Sequence, residues 1–269
     1  MKIVPRQWLS VATLSALLLS GAVQAGGAGA PPVARPAVPA VQPAQSQAQA
    51  GRALLDRALK ANGGDSLRGL RTMQQRSEMT FVDAQGQPVL VLVSVDYANG
   101  WMRATTLQGE QVVNEQFLTP EGAFASTPQS GTVPLPRQEA RSLTDAFFYG
   151  APGLRLGGEG RDSVKNLGEQ TWLQVEGREI KGTVLEVVTR GVKATYLLNS
   201  QGLIVAERYP VAGLGEVISV YGDFRTIGGV QVPGTTLGFA PNGVLLFVAK
   251  DLETKLNVTL PADTFKVPE

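Results

Sequence analysis

From Arg71 almost to the C-terminus, apolar residues recur at every second position, interrupted at short intervals by Gly, Pro, Asn and Asp. That alternation predicts strands with one buried face. Met73–Asp83 reads as a first strand, turning at Asp83-Ala84-Gln85-Gly86, and Val89–Val95 as a second. The second is apolar on both faces, which predicts a central strand covered on two sides. Asn99-Gly100 accepts positive φ at both positions of a type I′ turn, so Trp101–Leu107 should fold back on its predecessor. Glu110–Thr119 extends the meander to a reversal at Pro120-Glu121-Gly122. Strands resume at Gln170–Glu176, Thr183–Thr189, Ala194–Leu198, Leu203–Tyr209, Val217–Thr226 and Val244–Asp251. A spacing of about ten residues between such strands is that of an antiparallel sandwich or barrel.

Helical periodicity replaces the alternation in two places. Arg52–Ala61 sets Leu54, Leu55, Ala58 and Leu59 on one stripe and should stop at Asn62-Gly63, with Asp65 capping a short second turn through Leu70. This helix needs an apolar surface to lie on; plain core packing accounts for it, and a movable lid is the functional alternative. Arg137–Gly150 predicts a helix that ends in Phe147-Phe148-Tyr149 and packs on a face of the sheet or plugs one end. Those aromatics are either core anchors or a ligand gate. Ser126–Pro136, with Pro128, Pro134 and Pro136, reads as a loop, and the Gly-rich Ala151–Lys165 as a mobile connection.

The first fifty residues differ in kind. Lys2 and Arg6, the apolar run Trp8–Leu19 and the small residues of Val23-Gln24-Ala25 predict a secretory signal peptide over residues 1–25; an uncleaved anchor is the alternative. Residues 26–50 are almost entirely Ala, Pro, Gln, Gly and Ser, too poor in apolar side chains to offset ordering entropy, and read as a disordered tether. Residues 51–269 then form a single domain with room for a real core. The expected location is the periplasm or cell envelope.

Composition narrows the chemistry. Without Lys2 and Arg6 the 24 basic residues become 22, against 23 acidic, which gives no electrostatic case for nucleic acid or an anionic membrane surface. Neither Cys nor His occurs, so disulfides, thiolate nucleophiles, the usual general base and the commonest metal ligands are all unavailable. No cofactor or metal site is expected. Gly157-Gly158-Glu159-Gly160-Arg161 lacks the lysine and spacing of a phosphate loop, and no Ser-x-x-Lys or calcium-loop pattern is present. Glu176 and Glu179 flank a turn as solvated charges. A carboxylate pair from distant strands stays open as a glycosidase arrangement. Asp223 and Arg225, two apart on one expected strand, read as a rim pair, with a ligand-head contact as the alternative.

The helix ending Ala61-Asn62-Gly63-Gly64, followed by Leu67 and Leu70, and the later Tyr221-Gly222-Asp223-Phe224-Arg225, Gly229-Val230 and Val232-Pro233 carry a resemblance. In this order they resemble exported bacterial proteins of the outer-membrane lipoprotein-sorting type, the LolA/LolB-like superfamily. The resemblance spans residues 52–268 and is most specific over Tyr221–Pro233. It implies a mainly β fold: a curved antiparallel half-barrel of about eleven strands, with covering helices on the concave side. The hydrophobic cavity between them would shelter a lipid or lipoprotein acyl chain.

A large apolar concavity independently marks a binding site or partner surface. The expectation is therefore a non-enzymatic envelope protein that holds an acyl chain. Its cavity lining is predicted from apolar strand and helix positions as Phe81, Val91, Val93, Trp101, Phe117, Phe147, Phe148, Leu185, Val187, Tyr196 and Phe247. The alternative is a protein–protein interaction or sensor module in which the curved sheet docks another envelope protein.

Overall fold

The computed structural model describes residues 44–82, 87–156, 161–175, 177–211 and 215–268. The expected signal peptide, the tether as far as residue 43, the turn at Asp83–Gly86, the Gly157–Gly160 run and Glu176 lie outside the described residues. Helix α1 (Ala44–Ala61) begins earlier than the periodicity suggested and takes in the last residues assigned to the tether. Ala and Gln are good helix formers, and the helix has a surface to lie on. Gly51 rests against β7 (Arg161–Val175), where a Cβ would come within 2.6 Å of the Val164 carbonyl oxygen. Helix α2 (Gly64–Arg68) follows and buries Leu67.

The strands form one open sheet. In chain order they are β1 (Thr72–Phe81), β2 (Pro88–Asp96), β3 (Trp101–Gln108), β4 (Gln111–Thr119), β5 (Gly122–Thr127), β6 (Gly131–Pro134), β7, β8 (Arg178–Thr189), β9 (Val192–Leu198), β10 (Ile204–Val211), β11 (Gly215–Gly222), β12 (Arg225–Ile227), β13 (Val230–Val232), β14 (Thr235–Phe239) and β15 (Leu245–Leu256). Thirteen of them make an antiparallel sheet in the order β6-β5-β4-β3-β2-β1-β15-β14-β11-β10-β9-β8-β7, while β12 and β13 pair as a separate hairpin. The chain thus builds two meanders, and β15 joins them by pairing with β1 on one side and β14 on the other. Register breaks at Arg76/Ser77, Thr106/Leu107, Ile204/Ala206 and Gly238/Phe239. Bulges of this kind bend a strand and increase its twist, which suits a curved sheet that stops short of closing.

The sheet is two strands wider than the expected eleven, and two segments differ from their expected conformation. Ser126–Pro136 contributes to the β5–β6 hairpin, with Pro134 on the edge strand, where a missing N–H removes no inner ladder bond. Within Ala151–Lys165, a helix (α4, Gly150–Leu156) is followed by the start of β7 at Arg161. Helix α3 (Arg137–Asp145) and a 3-10 turn (Ala146–Phe148) precede α4, so the segment from 137 to 156 forms a cover over the concave face.

Two clusters fill that face. Leu143 and Phe147 from the cover pack on Met79, Val91, Val93, Val95, Met102 and Phe247. Leu54, Leu55, Ala58 and Leu59 of α1, with Leu154 of α4, pack on Leu185, Val187, Tyr196 and Leu198. A third cluster lies on the convex side, where Val184, Leu197, Ala206, Ile218 and Phe239 meet Trp172 and Leu173 from the β7–β8 hairpin. Strand β2 is central, but only one of its faces is covered: Val91, Val93 and Val95 are buried, whereas Leu92 is 37% exposed.

Candidate functional site

The seam between the two concave clusters is not filled. A cavity of about 190 Å³ lies there, walled by sheet residues such as Val95, Met102 and Tyr209, by Phe147, Tyr149 and Ala151 of the cover, and by Phe224, Val230 and Val232 of the β12–β13 excursion. Tyr97 and Tyr149 pack against both clusters and so mark the seam. A second cavity of about 140 Å³ shares Gln75, Tyr209, Tyr221 and Pro233 with the first. Its remaining walls include Ser77, Ser219, Thr236, Phe247 and Asp251, so it is the more polar of the two.

The hairpin wall is positioned from the other end of the chain. Asn62, just past α1, is buried, and its Nδ2 donates to the Ala58 carbonyl at 2.7 Å and the Gly202 carbonyl at 3.2 Å. Its Oδ1 accepts from the Ile204 N–H at 3.4 Å, and its carbonyl accepts from the Gln231 N–H at 3.2 Å. Asn62 therefore joins helix, sheet and hairpin at one point. The two separate stretches that carried the family resemblance meet at this cavity.

Glu207 supplies the only carboxylate on the wall of the first cavity among the described residues. Strand β10 points it inward between Tyr196 of β9 and Ser219 of β11, and it is 1% exposed. The Gly150 N–H donates to both its oxygens, at 2.9 and 2.8 Å, and the Tyr221 hydroxyl donates to Oε2 at 2.9 Å. Burial pushes its carboxyl up to about 7, against the restraining hydrogen bonds from Gly150 and Tyr221. All five tyrosines of the chain gather around it or the adjoining wall. Tyr149 stacks on Tyr209 with ring centroids 5.2 Å apart, and the Tyr209 hydroxyl bonds Ser219 at 2.9 Å. Tyr196 donates to the Phe148 carbonyl at 2.9 Å, a second tie between sheet and cover. Gly153 is required beside it, because a Cβ there would fall 2.2 Å from the Phe148 oxygen. Burial raises the hydroxyls of Tyr97, Tyr149, Tyr196, Tyr209 and Tyr221, so all five stay neutral donors. The Arg155 guanidinium covers the Tyr97 ring at 5.3 Å, and burial lowers its affinity for its proton.

The predicted lining residues are distributed as follows. Phe147 lines the first cavity and Phe247 the second. Phe81, Val91 and Val93 belong to the packed core under α3, and Phe148 is half-buried against the same core. Leu185, Val187 and Tyr196 belong to the core under α1 and α4. Trp101 and Phe117 are misassigned, because both lie on the convex face. Met102, Ala104 and Thr106 alternate with them toward the inside. Trp101 packs edge-on against Phe265 of the C-terminal tail at 5.9 Å, and the Arg103 guanidinium lies over Phe117 at 5.4 Å. Asp223 and Arg225 do not share a strand face: the backbone turns at Asp223, φ 52°. Arg225 pairs with Asp251, and Asp223 accepts from the Thr235 hydroxyl at 2.6 Å. Glu207 escaped the sequence reading. Its one signal was a charge in the inward phase of an otherwise apolar strand, in step with Tyr209.

No family model matches the chain, and no curated protein matches it. Solved structures do. A DUF1329 family protein from Desulfovibrio piger superposes with a TM-score of 0.54 at 11% identity, covering 82% of this chain and 97% of its own. A putative outer membrane lipoprotein-sorting protein domain from Vibrio parahaemolyticus gives 0.51 at 9% identity, covering 80% and 97%. A LolA superfamily protein from Nitrosomonas europaea gives 0.49 at 15% identity, covering 81% and 97%. The first two establish a shared fold: a curved, unclosed antiparallel sheet with helices on one side.

Proposed function

We propose that this protein binds a lipid or the acyl chain of a lipoprotein in the cavity between its sheet and its helical cover, as a carrier or chaperone of the cell envelope rather than an enzyme. The observation that carries the reading is a mainly apolar void at the seam between the two packed clusters of the concave face. An engineered apolar cavity of about 150 Å³ takes up benzene. A void of about 190 Å³ thus holds a short stretch of chain, roughly six to eight carbons. Each buried CH₂ contributes ~0.8 kcal/mol, so such a stretch gains roughly 5 kcal/mol before losses. A longer chain requires the cover to lift, which breaks the sheet-to-cover hydrogen bonds at Gly150 and Phe148. The fold shared with a lipoprotein-sorting domain supports this reading, as does the signal-peptide pattern of residues 1–25 for export.

Solvent extraction of the purified protein, followed by mass spectrometry, tests it. The expected result is a co-purified lipid near one per chain, or stoichiometric uptake on incubation. Recovery of none, with none taken up, overturns the proposal.

A further inference from the structure

The cavity is apolar, yet a carboxylate opens onto it. Glu207 is almost completely buried, and among the described residues no salt bridge reaches it. Two groups donate to it, the Gly150 N–H, divided between both oxygens, and the Tyr221 hydroxyl. An ionised carboxylate offers about four acceptor sites, so part of its capacity is turned toward the void it lines. Two other polar side chains on that wall are committed elsewhere. Asn62 spends its amide on backbone groups, and Gln231 donates to Thr226 at 2.9 Å. A buried acceptor left partly unsatisfied is costly and gains from any donor that arrives with the ligand. A carboxylate-headed ligand would instead meet a like charge where desolvation strengthens repulsion.

We infer that the cavity selects an amphiphile whose head presents a hydrogen-bond donor, a hydroxyl or an ammonium, to the Glu207 carboxylate, and discriminates against chains headed by a carboxylate or a bare ether. The inference rests on the acyl-chain reading above and adds to it the chemistry of the head. Its donor meets Glu207 beside Tyr221, and its chain lies along Val95, Met102, Phe147 and Val232. This places polar recognition inside the cavity, next to the shared wall with the second, more polar chamber.

The test is calorimetric titration of the purified protein at pH 8.5 with four probes matched in length: octan-1-ol, octylamine, 1-methoxyheptane and octanoate. At this pH, above the Glu207 value of about 7, the carboxylate is ionised. The alcohol and the amine should bind at least ten-fold more tightly than the ether and octanoate. Glu207→Gln should cut the preference for the amine over the ether to under three-fold. Tyr221→Phe removes a competing donor while leaving the carboxylate, and should keep or enlarge the preference. Equal binding of all four probes overturns the inference and leaves the acyl-chain reading standing. So does an amine preference that survives Glu207→Gln or is lost in Tyr221→Phe. Absence of binding by all four overturns both.

Discussion

Glu207 of β10 and Gly150 at the start of α4 are joined through one N–H that reaches both carboxylate oxygens, at 2.9 and 2.8 Å. The bond fastens the cover to the sheet at the cavity wall. Burial opposes the charge of Glu207 and raises its carboxyl from 4.5 to about 7, against the restraining effect of that bond. A carboxyl raised on folding binds more protons in the native than in the unfolded state between those two values. Stability therefore falls as pH rises through that window and levels off above it. A shift of this size corresponds to about 3 kcal/mol. Burial raises Asp145 too, with the same sign. Urea denaturation at pH 5 and pH 8 should show the loss, and Glu207→Gln should remove most of it. A stability profile that rises over this window would contradict the assignment.

Asn62 should be a structural hinge of the site rather than a simple helix stop. Its amide satisfies two carbonyls and one N–H that are otherwise buried. Asn62→Ala leaves them without that partner, at a cost of roughly 2–3 kcal/mol. Denaturation midpoints read that loss. Asn62→Asp should recover little of it, since a carboxylate cannot donate to the Ala58 and Gly202 carbonyls.

Phe117 separates stability from binding. It is fully buried, but on the convex side under Arg103. Phe117→Ala should lose about 3–5 kcal/mol of stability while leaving the affinity of the folded protein for an acyl-chain probe within two-fold of wild type. A selective loss of affinity in that variant would place the ligand on the other face of the sheet.

The sequence disclosed the elements better than the faces. Asn99-Gly100 announced the β2–β3 hairpin but not its turn, which spans Tyr97–Gly100 with positive φ at Gly100 and not at Asn99. The stripe of Leu54, Leu55, Ala58 and Leu59 announced both the helix and the surface it buries. The pairing of β1 with β15 joins residues such as Met73 and Leu256, and nothing local in either segment signals it. Period-two alternation normally separates core from solvent, but here both sides of the sheet carry cores. Apolar positions such as Trp101 and Phe117 could therefore not be assigned to a side from sequence. The bulges compound this, since each one changes the phase of its strand relative to the partner. Val217–Thr226, which leads into the stretch where the resemblance is most specific, reads from its alternation as one unbroken strand. The chain instead leaves the sheet there, and Tyr221, Phe224, Val230, Val232 and Pro233 wall the cavity.

Ala151 lines the void from α4, so filling it from that position tests the central claim most directly. Ala151→Trp should place an indole in space that a ligand would otherwise occupy, with less than the usual penalty for overpacking a filled core. Calorimetric titration with monooctanoylglycerol should show saturable one-to-one binding to the wild-type protein. Affinity for Ala151→Trp should be at least twenty-fold weaker, with a melting temperature within a few degrees. Wild-type protein that takes up no probe, or a filled variant that binds it as tightly as wild type, would contradict the account.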